Sequence, residues 1–264
     1  MSNYRISVLM GIYNCAPTLQ EALDSLYAQT FQNFKIILCD DGSNDDTLAI
    51  AERNANEHPG KVTVIKNERN MGLNHTLNHC LEYADTEYCA RMDGDDISMP
   101  ERFEKEIQFL NKHPEYAVVS APMIYFDEKG DFRKGKGNGE VKTKDFVLGT
   151  PICHAPSMSR TSVLKAVGGY SVSRKLLRVE DYHLWFKVFA AGHKLFMLDE
   201  CLYKMRDDRN AIARRDWLTR CNEAYVKHIG YKMIGLPWWY QIYSLVPILK
   251  YFVPKWLYSH FHKN

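Results

Sequence analysis

An α/β fold built on a mostly parallel sheet is predicted by three features of this 264-residue chain. Short apolar, β-rich runs alternate with helical patterns through the first half. The helical stretches have the roughly 10–15-residue length that connects parallel strands in βαβ units. The residues that close several of the strands are Asp, Asn, Gly and Ser, at the sheet edge where open α/β folds collect their ligands. In order, the strand signals are Arg5–Ile12 (RISVLMGI), Phe34–Asp40 (FKIILCD), Val62–Lys66 and Tyr88–Asp93. Helical patterns separate them at Pro17–Ala28, Asp45–Glu57 and Leu73–Ala84. Pro17 suits a first helical turn, where its missing N–H costs nothing. Ser98-Met-Pro-Glu101 reads as a capping box opening a helix that runs to about Lys112. An apolar strand, Ala117–Tyr125, follows, and then a Gly-rich charged stretch, Lys129–Glu140, read as a mobile loop or a domain seam. The second half predicts helices at Thr161–Val167 and Glu180–Ala191 and short strands near Lys194–Leu198 and Leu202–Met205. There is no internal repeat.

Composition narrows the class. At 30.7 kDa, 45% hydrophobic and 25% charged, the chain is neither disordered nor a coiled coil. No window approaches the roughly 18 apolar residues of a membrane span, and MSNYRIS opens no secretory signal, so a cytoplasmic location is expected. Seven scattered cysteines without a CxxC pair fit reduced thiols rather than a disulfide framework or a zinc site. The net charge of +2 hides an asymmetry. Through Glu223 the chain carries −3, whereas residues 224–264 hold five lysines and no acid. No nucleic-acid partner is expected.

Three clusters at strand ends carry the chemistry: Tyr13-Asn14, Asp40-Asp41-Gly42-Ser43, and Asp93-Gly94-Asp95-Asp96. Taken singly, each is explained by turns and caps. Together they bring five carboxylates to one edge, an arrangement that repels unless a cation is present; oxygen ligands of this kind suit Mg²⁺ or Mn²⁺. No GxxxxGK[ST] occurs, and the glycines at 135, 137 and 139 do not open a helix after a strand, which excludes a P-loop and disfavours a dinucleotide fingerprint. His75 and His79 are four apart but lack a third ligand, and a solvated helix face accounts for them. Glu180-Asp181 begins a helix; the helix dipole favours acids there, and beside a cleft one of them would also serve as a general base.

In order, SVLMGIYNC, DDGSNDDT, ERNMGLNHTLN, CARMDGDDISMPERF and VEDYHLWFK resemble glycosyltransferase family 2, the inverting nucleotide-sugar transferases of GT-A fold, over about residues 5–206. The resemblance implies a GT-A catalytic domain over 1–208, with a nucleotide-binding half to about 112 and an acceptor half over 113–208. It implies that Tyr13 packs on the donor base and Asp41 binds the base edge. Uracil N3–H is a donor that a carboxylate accepts, so the implied donor is a UDP-sugar. Asn70 and Gly72 match the nucleotide-side loop, which a plain helix-start turn also explains. Asp93 and Asp95 match the DxD motif, the first near the ribose and the second on the divalent metal, with Asp96 supporting that site or capping the turn. Asp181 matches the base that deprotonates the acceptor hydroxyl in a single inverting displacement. Two positions depart from the family: Gly94 stands where Ala is more usual, and Tyr203-Lys204-Met205-Arg206 replaces a YRxH-like segment, so that Arg206 either meets the diphosphate or that contact is missing. His154 resembles an acceptor-side position and reads equally well as a structural histidine.

The tail is set apart by eleven aromatics between Tyr225 and Phe261, broken by Pro237, Pro247 and Pro254. Two readings stand for this helical region, 209–264. It is an interfacial anchor that brings the enzyme to a lipid-linked saccharide acceptor on the cytoplasmic membrane face, or it packs back on the domain or forms a dimer seam. The expected function is metal-dependent transfer from a UDP-sugar to a glycan or lipid-linked acceptor in cell-surface polysaccharide synthesis. The competing readings are a sugar-phosphate nucleotidyltransferase, against which stands the lack of a basic Gly-rich triphosphate loop, and a nucleotide-sugar-binding protein with a dead site.

Overall fold

The computed structural model describes residues 4–207 and 216–252. Four parallel strands, β1 (Ile6–Ile12), β2 (Phe34–Asp40), β3 (Val62–Lys66) and β4 (Tyr88–Arg91), form one half of an eight-stranded sheet. Helices α1 (Ala16–Tyr27), α2 (Thr47–Glu57) and α3 (Leu73–Glu82) make the crossovers. The short β5 (Ile97–Ser98) and α4 (Arg102–Lys112) lead to β6 (Tyr116–Ser120), which continues the large sheet. The pleat of β1 explains the layering: Leu9 faces one apolar layer with α3, while Val8, Met10 and Ile12 face the other with α1 and α4. Both faces of the sheet are covered, hence the near-continuous apolar strands.

The second half departs from the predicted strings. Ala117–Tyr125 is not one strand. It breaks at Ala121-Pro122, where Pro offers no N–H to a ladder, into β6 and β7 (Met123–Asp127), and these belong to different sheets. The stretch read as a loop or seam holds β8 (Gly130–Lys134), which returns antiparallel on β7, and β9 (Gly139–Glu140), which edges the large sheet. The capping box does not form either. Ser98 is buried in β5 with its Oγ accepting from Gln29 (3.2 Å), and Glu101, itself the N-cap position, pairs with Lys105 instead. A strand without a sequence signal, β10 (Met158–Arg160), follows the four-residue α5 (Asp145–Leu148) and inserts antiparallel between β4 and β6.

After α6 (Thr161–Ala166) and α7 (Glu180–Ala190) come β11 (Lys194–Met197), beside β6, and β12 (Tyr203–Arg206). The latter joins β5, β7 and β8 in a second, four-stranded sheet. The large sheet therefore runs β3-β2-β1-β4-β10-β6-β11-β9. The chain closes with α8 (Trp217–Met233), a 3-10 segment Trp238–Leu245, and α9 (Val246–Tyr251). Helix α8 packs on the domain: Val226 and Tyr231 are fully buried with Phe186 of α7 in one apolar cluster. Beyond it the surface changes, with Trp238, Ile242, Leu249 and Phe252 each 63–80% exposed. The expected anchor thus divides; α8 packs inward, the segment after it exposes apolar groups, and residues 253–261 lie outside the described residues. No helix among the described residues is long and apolar enough to cross a membrane.

Candidate active site

The carboxyl ends of β1, β2 and β4 form one edge, and short side-chain bonds knit their loops together. Asn14, in a left-handed conformation (φ 48°), donates its N–H to Ser43 Oγ (3.0 Å) and accepts the N–H of Asn44 (2.9 Å). Tyr13 beside it is 44% exposed, an aromatic ring available to a ligand. Asp41 is buried and organises the following loop. Its Oδ1 accepts from Asn67 Nδ2 (2.7 Å) and the Met71 N–H (2.8 Å), and its Oδ2 accepts the Gly72 N–H (2.9 Å). Asn70 is exposed in that loop. Gly42 (φ 75°) must be glycine here, because a Cβ would lie 2.9 Å from the Asn70 nitrogen. Asp40 caps the Gly42–Ser43 turn through Oδ2, while its Oδ1 is buried with no partner among the described residues.

The turn after β4 is held from both sides. Arg91, buried on the strand, forms an ion pair with Asp93, and the Asp93 N–H donates to the Tyr203 hydroxyl (3.1 Å). Burial opposes the charge of Arg91, but Asp93 more than offsets it and raises the guanidinium pKa. Asp96 is buried and accepts the Arg206 N–H (2.8 Å). Burial, then the charges of Asp93 and Asp95, push its carboxyl up to about 8. Asp95 reaches solvent, yet partial desolvation and Asp93 raise its carboxyl as well. Arg206 holds the turn through its own side chain, Nε donating to the Asp95 carbonyl (3.0 Å) while Nη2 pairs with Glu21. Gly94 has a local cause: a Cβ there would lie 2.8 Å from Cys15 Sγ and 3.2 Å from Ile12.

Asp93 lines a cleft of about 790 Å³ together with Arg91, His154, Glu180 and Asp181. Tyr13, Asp41, Asn70, Gly72, Asp95, Asp96 and Arg206 are not in its wall; they lie along the adjoining strand ends, with Leu73 as the wall's nearest neighbour to that loop. Glu180 and Asp181 occupy the first turn of α7. Burial and Asp181 raise the Glu180 carboxyl to about 7. His154 is half-buried, its Nε2 bonded to the Tyr170 hydroxyl (2.7 Å), and desolvation followed by Arg91 holds its pKa well below the ordinary value, so it is a neutral ring.

Several wall residues carry no motif in the sequence. Arg91 is one; it ends β4 and pairs with Asp93 in the turn that follows. Arg133, on β8, and Lys136, between β8 and β9, come from the stretch read as a loop or seam. Arg178, just before α7, holds φ at 66°, an uncommon conformation for a side-chain-bearing residue and a mark of functional sites.

The donor set was tested against a divalent metal. Among the described residues no three His, Cys, Asp or Glu side chains gather to enclose one. Asp93 and Asp95 are two hard oxygen donors beside a third carboxylate, Asp96; burial first, and then their mutual charge, raise the carboxyls of Asp95 and Asp96. That is the set expected for Mg²⁺ or Mn²⁺, which take one or two carboxylates and complete their shell with water and substrate phosphate. The residues fit.

A mixed α/β chain with a large central sheet flanked by helices has the architecture of GT-A glycosyltransferases. Residues 7–167 match the glycosyl transferase family 2 model, and the chain belongs to that family and is a glycosyltransferase. Among its relatives, EpsE of Bacillus subtilis (strain 168), which carries a glycosyltransferase name, is 38% identical over all of this chain and 95% of its own. The amylovoran biosynthesis glycosyltransferase AmsE of Erwinia amylovora is 35% identical, covering 80% of each chain. WfaP of Escherichia coli, named a UDP-Glc:α-D-GlcNAc-diphosphoundecaprenol β-1,3-glucosyltransferase, is 26% identical over 72% of each. The fold is also that of S. aureus TarS 1–349 solved with UDP-GlcNAc (TM-score 0.70, 20% identity, 91% of this chain and 69% of that one). The Pyrobaculum calidifontis mannosyltransferase PcManGT, solved with GDP-Man and Mn²⁺, shares it as well (TM-score 0.64, 19% identity, 93% and 74%).

Proposed function

We propose that this glycosyltransferase moves a sugar from a UDP-sugar to a hydroxyl of a lipid-linked or growing glycan in surface-polysaccharide synthesis, with inversion at the anomeric carbon. The observation that carries the reading is the cleft itself, which Asp93 and Asp181 both line. Tyr13 offers a ring for the base. Asp41 accepts three bonds, and a carboxylate has about four lone-pair sites, so the unspent capacity on Oδ2 suits the N3–H of uracil. Asn70 and Gly72 shape that side of the donor site. Asp93 and Asp95 would hold Mg²⁺ or Mn²⁺, which when bound offsets the charge growing on the departing diphosphate. Arg91 pairs with Asp93 and orients it. Arg206 fixes the turn by donating to the Asp95 carbonyl, and the Arg206 N–H holds Asp96 as its support. Asp181 takes the proton of the attacking hydroxyl, with Glu180 and the neutral His154 setting the polarity around it. Residues 1–208 act as the catalytic domain, and part of 225–261 meets the cytoplasmic membrane face peripherally. The names of WfaP and AmsE support a lipid-linked acceptor and polysaccharide synthesis, and TarS supports the donor class.

The test is thermal unfolding with UDP, GDP, CDP and dTDP, with and without Mn²⁺. A ligand at a hundred times its Kd adds about 2.7 kcal/mol of stability. A UDP shift that needs Mn²⁺ is expected. A larger shift with GDP would overturn the uracil reading, and no shift with any nucleotide would leave a dead site. Asp181→Asn should keep the UDP shift and lose roughly 100-fold or more of the transfer rate, measured by product formation. Equal loss of both would remove Asp181 from the base role.

A further inference from the structure

A second cavity, of about 440 Å³, adjoins the donor cleft at Asp181. Asp181, Arg178 and Thr150 line both cavities, so the carboxylate stands in the partition between them. The outer wall comes from the C-terminal helices. Arg220, Glu223 and Lys227 are spaced along one face of α8, and Val246, Pro247 and Lys250 along one face of α9.

The chemistry of this cavity is cationic. Four basic side chains, Arg178, Arg220, Lys227 and Lys250, face two carboxylates, Asp181 and Glu223. Glu223 is paired with Arg220 (Nη1 to Oε2, 2.9 Å), which leaves an excess of positive charge. Arg220 is 7% exposed, and its Nε is buried with no hydrogen-bond partner among the described residues. A buried guanidinium N–H without an acceptor is costly, and an anion would satisfy it. Lys227 is 7% exposed, with Nζ donating to the Val147 carbonyl (2.9 Å). Burial, then Lys250, pulls its ammonium down to about 8, the strain of a cation lacking enough counter-charge. The surroundings are apolar and exposed: Leu148 at the rim is 84% exposed, and Ile242, Leu245 and Leu249 on the same C-terminal segment are 52–68% exposed. Cations inside and aliphatic groups outside match an amphiphile with an anionic head.

We propose that this cavity is an acceptor subsite that binds the phosphate or diphosphate head of a lipid-linked acceptor, so that the sugar attached to that head presents its hydroxyl to Asp181 while the lipid leaves across the exposed α9 surface. This deepens the reading of a lipid-linked acceptor and rests on it. It also gives the tail a role in catalysis, since one wall of the subsite is made of residues 220–250.

The test titrates the full chain, held with UDP and Mn²⁺ to fill the donor cleft, with decyl diphosphate, inorganic pyrophosphate and decyl maltoside. The variants are Lys250→Glu, at an exposed position that tolerates the change, and Arg220→Gln. Decyl diphosphate should bind, and each substitution should weaken it about tenfold or more, the scale of one charge-assisted contact. Pyrophosphate and decyl maltoside should each bind more weakly than decyl diphosphate. The proposal fails if Lys250→Glu binds decyl diphosphate as the wild type does. It also fails if pyrophosphate binds as tightly, which would make this a site for a free anion, or if decyl diphosphate does not bind at all. The UDP shift is read on the same samples. Its loss would count against the donor reading, whereas unchanged UDP binding with no decyl diphosphate binding would count against the subsite alone.

Discussion

Glu180 and Asp181 stand side by side in one helical turn, and their surroundings separate their tasks. Asp181 opens onto both cavities, whereas Glu180 is the group whose carboxyl rises to about 7, through burial and then Asp181. A raised folded-state pKa favours the protonated form. The stabilisation is therefore fully present below the unfolded value near 4.5 and is lost as pH climbs through about 7. Unfolding temperature should accordingly fall between pH 5 and 8, and Glu180→Gln should fall less over that window. A Gln variant with the wild-type slope would assign the loss elsewhere, to Glu106 or Asp96, whose carboxyls burial also raises. At this scale the sequence was informative wherever identity alone carries chemistry. The acids at the ends of β2 and β4 and at the start of α7 could be picked from the string as candidates because, although turns, caps and the helix dipole account for each singly, five carboxylates on one sheet edge repel unless a cation is present. Arg91, Arg178 and Arg133 could not be picked, because an arginine matters only through what faces it, and that is settled by pairing and by backbone conformation.

The elements divide along the same line. The first four strands and three helices follow from local alternation: the first two crossovers return to a neighbouring strand, and the third passes to the far side of β1. The later strands depend on distant partners. Strand β10 is three residues long and exists because β4 and β6 leave a gap between them, and the 129–140 segment becomes strands only by pairing with β7 and β11. The capping box failed for a similar reason, as Gln29 from α1 claims Ser98. Helix α8 shows how tightly such distant contacts are fitted. A Cβ on Gly230 would fall 2.3–2.5 Å from the Phe186 ring. Gly→Ala in a helix interior gains up to about 1 kcal/mol in propensity, but overpacking a core contact costs about 1–3 kcal/mol. The clash should win because Phe186 is itself fully buried and has nowhere to move. Gly230→Ala should therefore destabilise the protein in urea unfolding. A stabilised variant would mean that α8 docks more loosely than Phe186 and Tyr231 indicate.

Across the whole molecule, the chain after α7 serves two purposes that can be separated experimentally. Up to about Leu236 it completes the apolar layer that Tyr182, Phe186 and Tyr231 share, so removing it would uncover core. From Trp238 to Phe252 it contributes mainly exposed aromatic and aliphatic surface, and the sequence from Lys250 on carries three lysines, Lys250, Lys255 and Lys263, and no acid. Trp and Tyr favour the headgroup region, and each lysine near an anionic leaflet adds about 1 kcal/mol. Three lysines are then worth roughly 100-fold in binding, before the apolar groups are counted. A chain ending at Leu236 should still unfold cooperatively and keep its UDP and Mn²⁺ response, with a small loss where Tyr240 touches the core. It should lose about 100-fold or more of its affinity for phosphatidylglycerol vesicles in a sedimentation assay. The full chain's own vesicle binding should weaken steeply with salt, because surface charges are screened within about 10 Å at 0.1 M. Undiminished pelleting of the shortened chain would place the membrane contact elsewhere. Loss of folding would show that the two purposes share the same residues, in which case the wall of the second cavity and the domain core are a single structure.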